Sequence, residues 1–151
     1  MANPLNLAEI LVPILNFLSA DQALYPTLFV NRFWYYTAGW ILWKHIEFLD
    51  SLRQKKFLRI CRNLKPFHGV NVRNLIFLFS YDEFSDEDIN GIIGSCPNIV
   101  YLNFNATCKL AISETAIINI AHSYPNILRL DLLECSFITD TAIKEIAKSC
   151  P

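Results

Sequence analysis

The stretch of sequence that decides the fold runs from residue 124 to residue 140 and reads YPNILRLDLLECSFITD. Leu130 and Leu132 alternate with polar residues, which is typical of a β-strand that buries one face. Thr139 then precedes an acid, and a hydroxyl followed by an acid predicts the first turn of a helix. We therefore expect a strand that leads into a helix within one short unit.

The same signal occurs three times in the C-terminal half of the chain, which indicates an internal repeat. The three predicted strands align on a shared asparagine, namely Asn74, Asn98 and Asn126. The spacings are 24 and 28 residues, and the second and third units read apolar-x-x-Leu-x-apolar. In the first unit Ser80 replaces the last apolar residue. The sequence therefore predicts two regular units and one weaker unit.

A helix is predicted after each of these strands. Ser85, Ser113 and Thr139 each precede an acid, so their hydroxyls are candidate N-caps. Ser85 and Asp88 have the spacing of a capping box. The residues that follow are apolar at i, i+3 and i+4, which predicts one buried helix face. Each helix is expected to end shortly before a proline.

Residues 96–151 resemble the cysteine-containing leucine-rich repeat, whose pattern reads C-P-N-L-x-x-L-x-L-x-x-C-x-x-I-T-D. Tyr124 stands where the pattern has Cys, and Cys108 comes one place late. The resemblance implies a solenoid with a strand and a helix in each repeat. It also implies that the cysteines at turns and corners are small buried hydrophobes without a redox or metal role, namely Cys96, Cys135 and Cys150.

Composition excludes several classes of protein. The chain is 53% hydrophobic and 18% charged, with a net charge of −1, which excludes intrinsic disorder and strong bulk attraction to nucleic acid or anionic lipid. No apolar run approaches the ~18 residues of a membrane span. No Lys or Arg precedes Arg32, so the N-terminus lacks the positive start of a signal peptide. Five cysteines without a C-x-x-C motif favour a reduced protein of the cytoplasm or nucleus over a disulfide framework or zinc site.

Residues 5–46 predict short helices that carry more apolar surface than about forty residues can bury alone. Asn6 and Asp21 are candidate N-caps, and Pro13 is expected to kink the first helix or to delay its start. The first helix has a wide apolar stripe at Ile10, Leu11, Ile14, Leu15 and Leu18. The surplus of large side chains argues for an obligate partner and comprises Phe17, Leu18, Leu28, Phe29, Val30, Phe33, Trp34, Trp40, Leu42 and Trp43.

Four pieces of this segment resemble an F-box, whose pattern runs L-P-x-E-I-L, I-x-x-x-L, L-V-N-R-x-W and L-W. Here they read LNLAEIL at 5–11, ILNFL at 14–18, LFVNRFW at 28–34 and ILW at 41–43. Asn6 stands where the family usually has Pro. An F-box followed by cysteine-containing leucine-rich repeats is a known family arrangement.

The resemblance implies an α+β chain in three parts. All-α F-box helices are expected at 1–48, a basic linker helix at 49–70, and an α/β leucine-rich-repeat solenoid at 71–151. The linker helix, at 52–65, is amphipathic, with its apolar stripe at Phe57, Ile60, Cys61 and Leu64. A basic amphipathic helix can bind nucleic acid or membrane, but no aromatic residues interleave its cations. A solvated helix that packs on the first repeat is the favoured interpretation, and neither nucleic acid nor membrane is an expected partner.

The resemblance implies a substrate-recognition subunit of an SCF (Skp–cullin–F-box) ubiquitin ligase, in which the F-box docks on the Skp adaptor and the repeats hold an unknown protein substrate. The residues that match the adaptor-binding pattern are Leu5, Ile10, Leu11, Ile14, Leu18, Leu28, Val30 and Trp34. Substrate binding is expected on the strand face, near Tyr101, Asn103, Arg129 and Asp131. Such a subunit performs no chemistry and needs no cofactor or metal.

Two alternatives belong to other classes. One is a leucine-rich-repeat scaffold outside ubiquitin chemistry, which binds protein, or RNA through the basic helix. The other is an enzyme, which is disfavoured because the sequence has no Ser/His/Asp set, no metal-ligand spacing and no glycine-rich phosphate loop. Asp86-x-Asp88-x-Asn90-Gly91 matches the opening of an EF-hand loop, but position 12 is Pro97 rather than the required Glu.

The last residues, Cys150 and Pro151, come where another repeat would begin. Repeat arrays need about three or more units and a polar terminal cap. We therefore expect residues 1–151 to be part of a longer solenoid.

Overall fold

The computed structural model describes residues 7–20, 23–48, 50–63, 69–78, 84–104, 112–133 and 138–150. The chain mixes helices with a small four-stranded sheet, as an α+β class requires. It divides into two compact units, 1–45 and 46–151. The α-helices are α1 (Ala8–Ala20), α2 (Arg32–Lys44), α3 (Ser51–Arg62), α4 (Asp86–Ser95), α5 (Glu114–Ser123) and α6 (Asp140–Ser149). The strands are β1 (His45–Phe48), β2 (Asn74–Phe77), β3 (Tyr101–Asn103) and β4 (Arg129–Asp131).

The first unit is helical and has a small core. α1 begins at Ala8 and contains Pro13, so the expectation that the proline delays the start of the helix is wrong. A 3₁₀ helix at Tyr25–Phe29 leads to α2, whose N-cap is Asn31. The Asn31 side chain accepts a hydrogen bond from the Trp34 N–H at 3.0 Å. The fully buried core residues are Leu11, Leu15, Leu24 and Ala38. The candidate caps Asn6 and Asp21 lie outside the described residues.

The second unit alternates strands and helices. The order across the sheet is β1-β2-β3-β4, which follows the chain, and each strand is followed by a helix. β2 pairs with β3 and β3 with β4 in parallel. β1 was not predicted from the sequence, because it has only four residues and follows α2 with no turn between them. The helix expected as a basic connector is α3, which lies in this second unit and packs against α4.

The register of the sheet corrects the predicted repeat alignment. Asn74 lies opposite Tyr101, and Leu75 lies opposite Leu102, so the alignment of Asn74 with Asn98 is wrong by three residues. The equivalent of Asn98 is Asn71. With this register Phe77 takes the place of Phe104, and both are fully buried. The polar Ser80 therefore appeared at the last apolar position of the first repeat only because the predicted alignment was wrong.

Phenylalanine side chains stack along the inner side of the sheet. The Phe77 ring lies 5.4 Å from that of Phe48 and 5.5 Å from that of Phe104, both in stacked arrangements. Phe84 packs edge-on against Phe77 and Phe104. Offset stacked and edge-on pairs are the favourable geometries for aromatic rings, and each ring also removes a large apolar area from water. This ladder is the centre of the second core.

The predicted helix caps are confirmed. Ser85, Ser113 and Thr139 are the N-caps of α4, α5 and α6, and Ser85 with Asp88 forms a capping box. The first-turn acids also join successive helices. Asp86 accepts hydrogen bonds from the Ser113 N–H at 2.8 Å and from its hydroxyl at 2.6 Å. The first turn of α4 thus positions the N-terminus of α5.

α3 and α4 approach each other closely. The Asp88 carboxylate is fully buried and accepts hydrogen bonds from Nε and Nη2 of Arg62 at 2.5 and 2.7 Å. A Cβ at Gly91 would lie 2.9 Å from both the Arg62 nitrogen and the Cys61 carbonyl carbon of the backbone. This position therefore requires glycine for space, while the ion pair neutralises the charge of Asp88.

Candidate functional site

Four polar residues meet on the side of β3 and β4 that faces away from the core. Arg129 is exposed, Tyr101 and Asp131 are half-buried, and Asn103 is buried. The parallel register places Tyr101 opposite Arg129 and Asn103 opposite Asp131. These are the four residues for which the sequence predicted substrate binding, and the structure brings all of them together. We call them the strand-face cluster. The neighbouring residues Leu102 and Leu130 face the core, because successive side chains of a strand point to opposite faces.

Asp131 is the hub of the strand-face cluster. Its carboxylate accepts hydrogen bonds from the Tyr101 hydroxyl at 3.0 Å and from the Asn103 amide at 3.3 Å. The Arg129 Nε donates to both oxygens of this carboxylate at 3.0 Å. The Asn103 amide also donates to the Tyr101 hydroxyl at 3.2 Å. The cluster is therefore held in one arrangement by its own hydrogen bonds.

Charge and stacking fix Arg129 within this cluster. Its guanidinium lies 5.2 Å from the centroid of the Tyr101 ring, within the range of a cation–π contact. The hydrogen bond from Arg129 lowers the pKa of the Asp131 carboxyl below its usual range, against a smaller opposing effect of desolvation. The same hydrogen bond raises the pKa of the Arg129 guanidinium. The arrangement offers a pre-organised polar surface of both charges, suited to recognition.

The first unit has a different surface, which is apolar. One face of α1 carries the exposed residues Ile10, Ile14 and Phe17, and the exposed Leu7 comes directly before this helix. We call this the apolar face of α1. The exposed fractions are 42% for Ile10, 36% for Ile14 and 69% for Phe17, whereas Leu11 and Leu15 on the adjacent face are fully buried. α1 is therefore apolar on two faces, and only one of them is covered by its own unit.

The predicted adaptor-binding residues divide into three groups. Ile10, Ile14 and Val30 are exposed. Leu18, Leu28 and Trp34 are half-buried against the core of the first unit, and Leu11 is fully buried within it. Leu5 lies outside the described residues. Among the described residues of this set, the three exposed ones can meet a partner without rearrangement of this unit.

Several exposed apolar side chains were not among the predicted site residues. Leu7 and Phe17 extend the apolar face of α1, and the spacing 7, 10, 14 and 17 would have found them. Phe17, Phe29 and Trp40 belong to the predicted surplus of large apolar side chains, but the sequence assigns none of them to a particular site. The other exposed aromatic residues of the first unit are Tyr25, Tyr35 and Tyr36.

The acids of the EF-hand-like stretch and the buried Cys96 have structural roles in the second unit. Asp86 and Asp88, which open the EF-hand-like stretch, lie in the first turn of α4 and are bound by Ser113 and Arg62. Cys96 is buried at the end of α4, as expected. A hydrogen bond with Cys61 and burial together raise the pKa of the Cys96 thiol far above its usual range, so this thiol stays neutral. Cys150 is only half-buried at the end of α6, so the prediction that it is buried is wrong. Cys108 and Cys135 lie outside the described residues.

The described part of the chain bears on two further kinds of site, metal centres and membrane spans. No group of three or more His, Cys, Asp or Glu residues there could hold a metal ion. No helix there combines the length and the apolar character that a membrane span needs.

No family model matches the chain, and no curated protein gives a significant match.

Proposed function

We propose that this chain is the substrate-recognition subunit of an SCF ubiquitin ligase, with an F-box in the first unit and leucine-rich repeats in the second. The sequence patterns at 5–46 and 96–151 support this function. In the structure, the exposed apolar surface of the first unit and the strand-face cluster of the second unit support it as well. The two surfaces suit two different tasks, which are docking on an adaptor and reading a target.

The apolar face of α1 is the observation that carries the proposal. Exposed large side chains are common one at a time, but a continuous apolar face usually marks a protein interface. Ile10, Ile14 and Phe17 lie on one side of α1 because residues spaced three or four apart share a helix face. The Skp adaptor is the partner that covers this face.

The strand-face cluster is the proposed target site. A rigid polar surface discriminates between partners. A partner that does not match it buries the polar groups of this surface without giving them hydrogen bonds. The chain itself performs no chemical step in this proposal. It holds the target protein near a charged ubiquitin-conjugating enzyme, which raises the effective concentration of the target lysine. The proposed place of action is the cytoplasm or nucleus.

Co-expression with the Skp adaptor tests the proposal. The wild-type chain is expected to co-purify with the adaptor, and Ile14→Asp is expected to abolish this, because a carboxylate would be desolvated at an apolar interface. Ile143→Asp is the matched control, since Ile143 is 56% exposed on α6 in the second unit. It is expected to co-purify as the wild type does.

A failure of the wild-type chain to bind the adaptor would contradict the proposal. The strand-face cluster would then support an interaction scaffold outside ubiquitin chemistry. Equal loss of binding in both aspartate variants would also contradict it, because the effect would not be specific to α1.

A further inference from the structure

Helix α3 has two faces of opposite character. Gln54, Phe57, Leu58 and Cys61 are buried, at the spacing i, i+3, i+4 and i+7. Leu52, Lys55, Lys56 and Arg59 repeat the same spacing on the solvent side, and all four are exposed. We call these four residues the outer face of α3. It carries three cations and one large apolar side chain.

The outer face of α3 lines a concavity of about 230 Å³. Leu52 is 60% exposed beside it. Enclosed small-molecule sites have volumes of roughly 300–1,000 Å³, so this concavity fits a side chain of a bound segment better than a whole small molecule. The aliphatic stems of long cationic side chains can cover an apolar group while the charged ends stay in water.

Two carboxylates that form ion pairs with α3 bind arginines outside its outer face. Asp50 pairs with Arg53 at 3.0 Å, and Asp88 pairs with Arg62. Within the described residues, no carboxylate forms an ion pair with Lys56 or Arg59, and the two lie one helical turn apart. The outer face of α3 therefore presents positive charge that a ligand with negative charge would complement.

We propose that the outer face of α3 is a docking site for an acidic peptide segment of a partner protein, with an apolar side chain in the concavity at Leu52 and carboxylates on Lys56 and Arg59. An RNA strand fits less well. The four lining residues include no aromatic side chain on which a base could stack. A phosphate backbone also makes no use of the exposed Leu52. The site is separate from the apolar face of α1 and does not depend on the adaptor.

Fluorescence polarisation with the full chain tests this site. The probes are a labelled Glu-rich peptide with one central Leu, the same peptide with Ser in place of Leu, and a labelled single-stranded RNA. The Leu peptide is expected to bind most tightly. Lys56→Glu with Arg59→Glu is expected to weaken its binding by about tenfold or more, because like charges are then brought together. Leu52→Ser is expected to weaken it by roughly threefold to tenfold.

Lys144→Glu is the control, since Lys144 is exposed on α6 and takes the same substitution as Lys56. It is expected to bind the Leu peptide within about twofold of the wild type, as a distant surface charge is largely screened. Circular dichroism checks that each variant is folded. Three results would overturn the proposal: no binding of the Leu peptide, a weakening by Lys144→Glu as large as that by Lys56→Glu with Arg59→Glu, or tighter binding of RNA that is insensitive to Leu52→Ser.

Discussion

The two units of this chain place their aromatic side chains in opposite ways. In the second unit Phe77 and Phe104 are fully buried and stack on each other, and polar residues lie outside. In the first unit Phe17 and Phe29 are 69% and 73% exposed. Phenylalanine thus stabilises the core of the second unit, whereas in the first unit it forms part of an exposed apolar surface. High hydrophobicity alone therefore does not indicate a large core.

The largest effect should be the difference in stability between two variants, each with one phenylalanine replaced by alanine, one in each unit. Phe104→Ala removes a buried ring and leaves a cavity, so it is expected to lower the free energy of unfolding by about 3–5 kcal/mol. Phe29→Ala, the matched change in the first unit, should cost less than about 0.5 kcal/mol because that ring is mostly in water. Urea denaturation followed by circular dichroism measures both. Similar costs for the two variants would remove the contrast between the units.

A smaller but still large effect is expected at the buried ion pair between α3 and α4. Asp88→Asn removes the buried carboxylate charge that Arg62 neutralises and should lower the free energy of unfolding by about 3 kcal/mol. Glu145→Gln is the control, because Glu145 pairs with Lys148 at the surface, where such pairs contribute only about 0–1 kcal/mol. Thermal denaturation compares the two. An Asp88 variant as stable as the control would show that the pair adds nothing to this core.

Two glycines of α4 should respond in opposite directions. Gly91→Ala pushes a methyl group against the backbone of α3 and should cost roughly 1–3 kcal/mol. Gly94 is exposed on the same helix, so Gly94→Ala should raise the stability by up to about 1 kcal/mol through helix propensity. The Tm of each variant, compared with that of the wild type, measures these opposite changes in stability. A stabilising Gly91→Ala would mean that α3 and α4 separate easily.

The smallest effect concerns the pH dependence of the strand-face cluster. Because the pKa of Asp131 is lowered in the folded state, its contribution to stability is present above the pKa of an unfolded aspartate. That contribution is lost as the pH falls through the lower, folded-state pKa. An NMR titration of the Asp131 carboxyl should show a midpoint below that of an ordinary aspartate. Arg129→Gln should move the midpoint upward, and an unchanged midpoint would show that Arg129 does not hold this carboxylate.

Local signals made much of the second unit predictable. Ser85, Ser113 and Thr139 were identified as caps because a hydroxyl before an acid acts within a single helical turn. The strand-face cluster followed from alternation along β3 and β4, since residues two apart share a face. Its hydrogen bonds to Asp131 could not be foreseen in detail, because they depend on the register between two strands.

Features that join distant residues were missed. Arg62 and Asp88 are 26 residues apart, and nothing in either neighbourhood indicates that they pair. The alignment on Asn74 failed because Asn71 offers the same start three residues earlier. In the first unit the surplus of apolar residues was recognised, but which of them stay exposed is decided by packing. Leu11 is buried and Ile10 is exposed, although they are neighbours with similar side chains.

Calorimetric titration with the Skp adaptor at several temperatures tests most directly whether the first unit presents its apolar side chains to a partner. Burial of the apolar face of α1 predicts binding with a negative change in heat capacity. Phe17→Ser should weaken this binding and make the heat-capacity change less negative. No binding by the wild-type chain, or binding whose enthalpy does not change with temperature, would contradict the account.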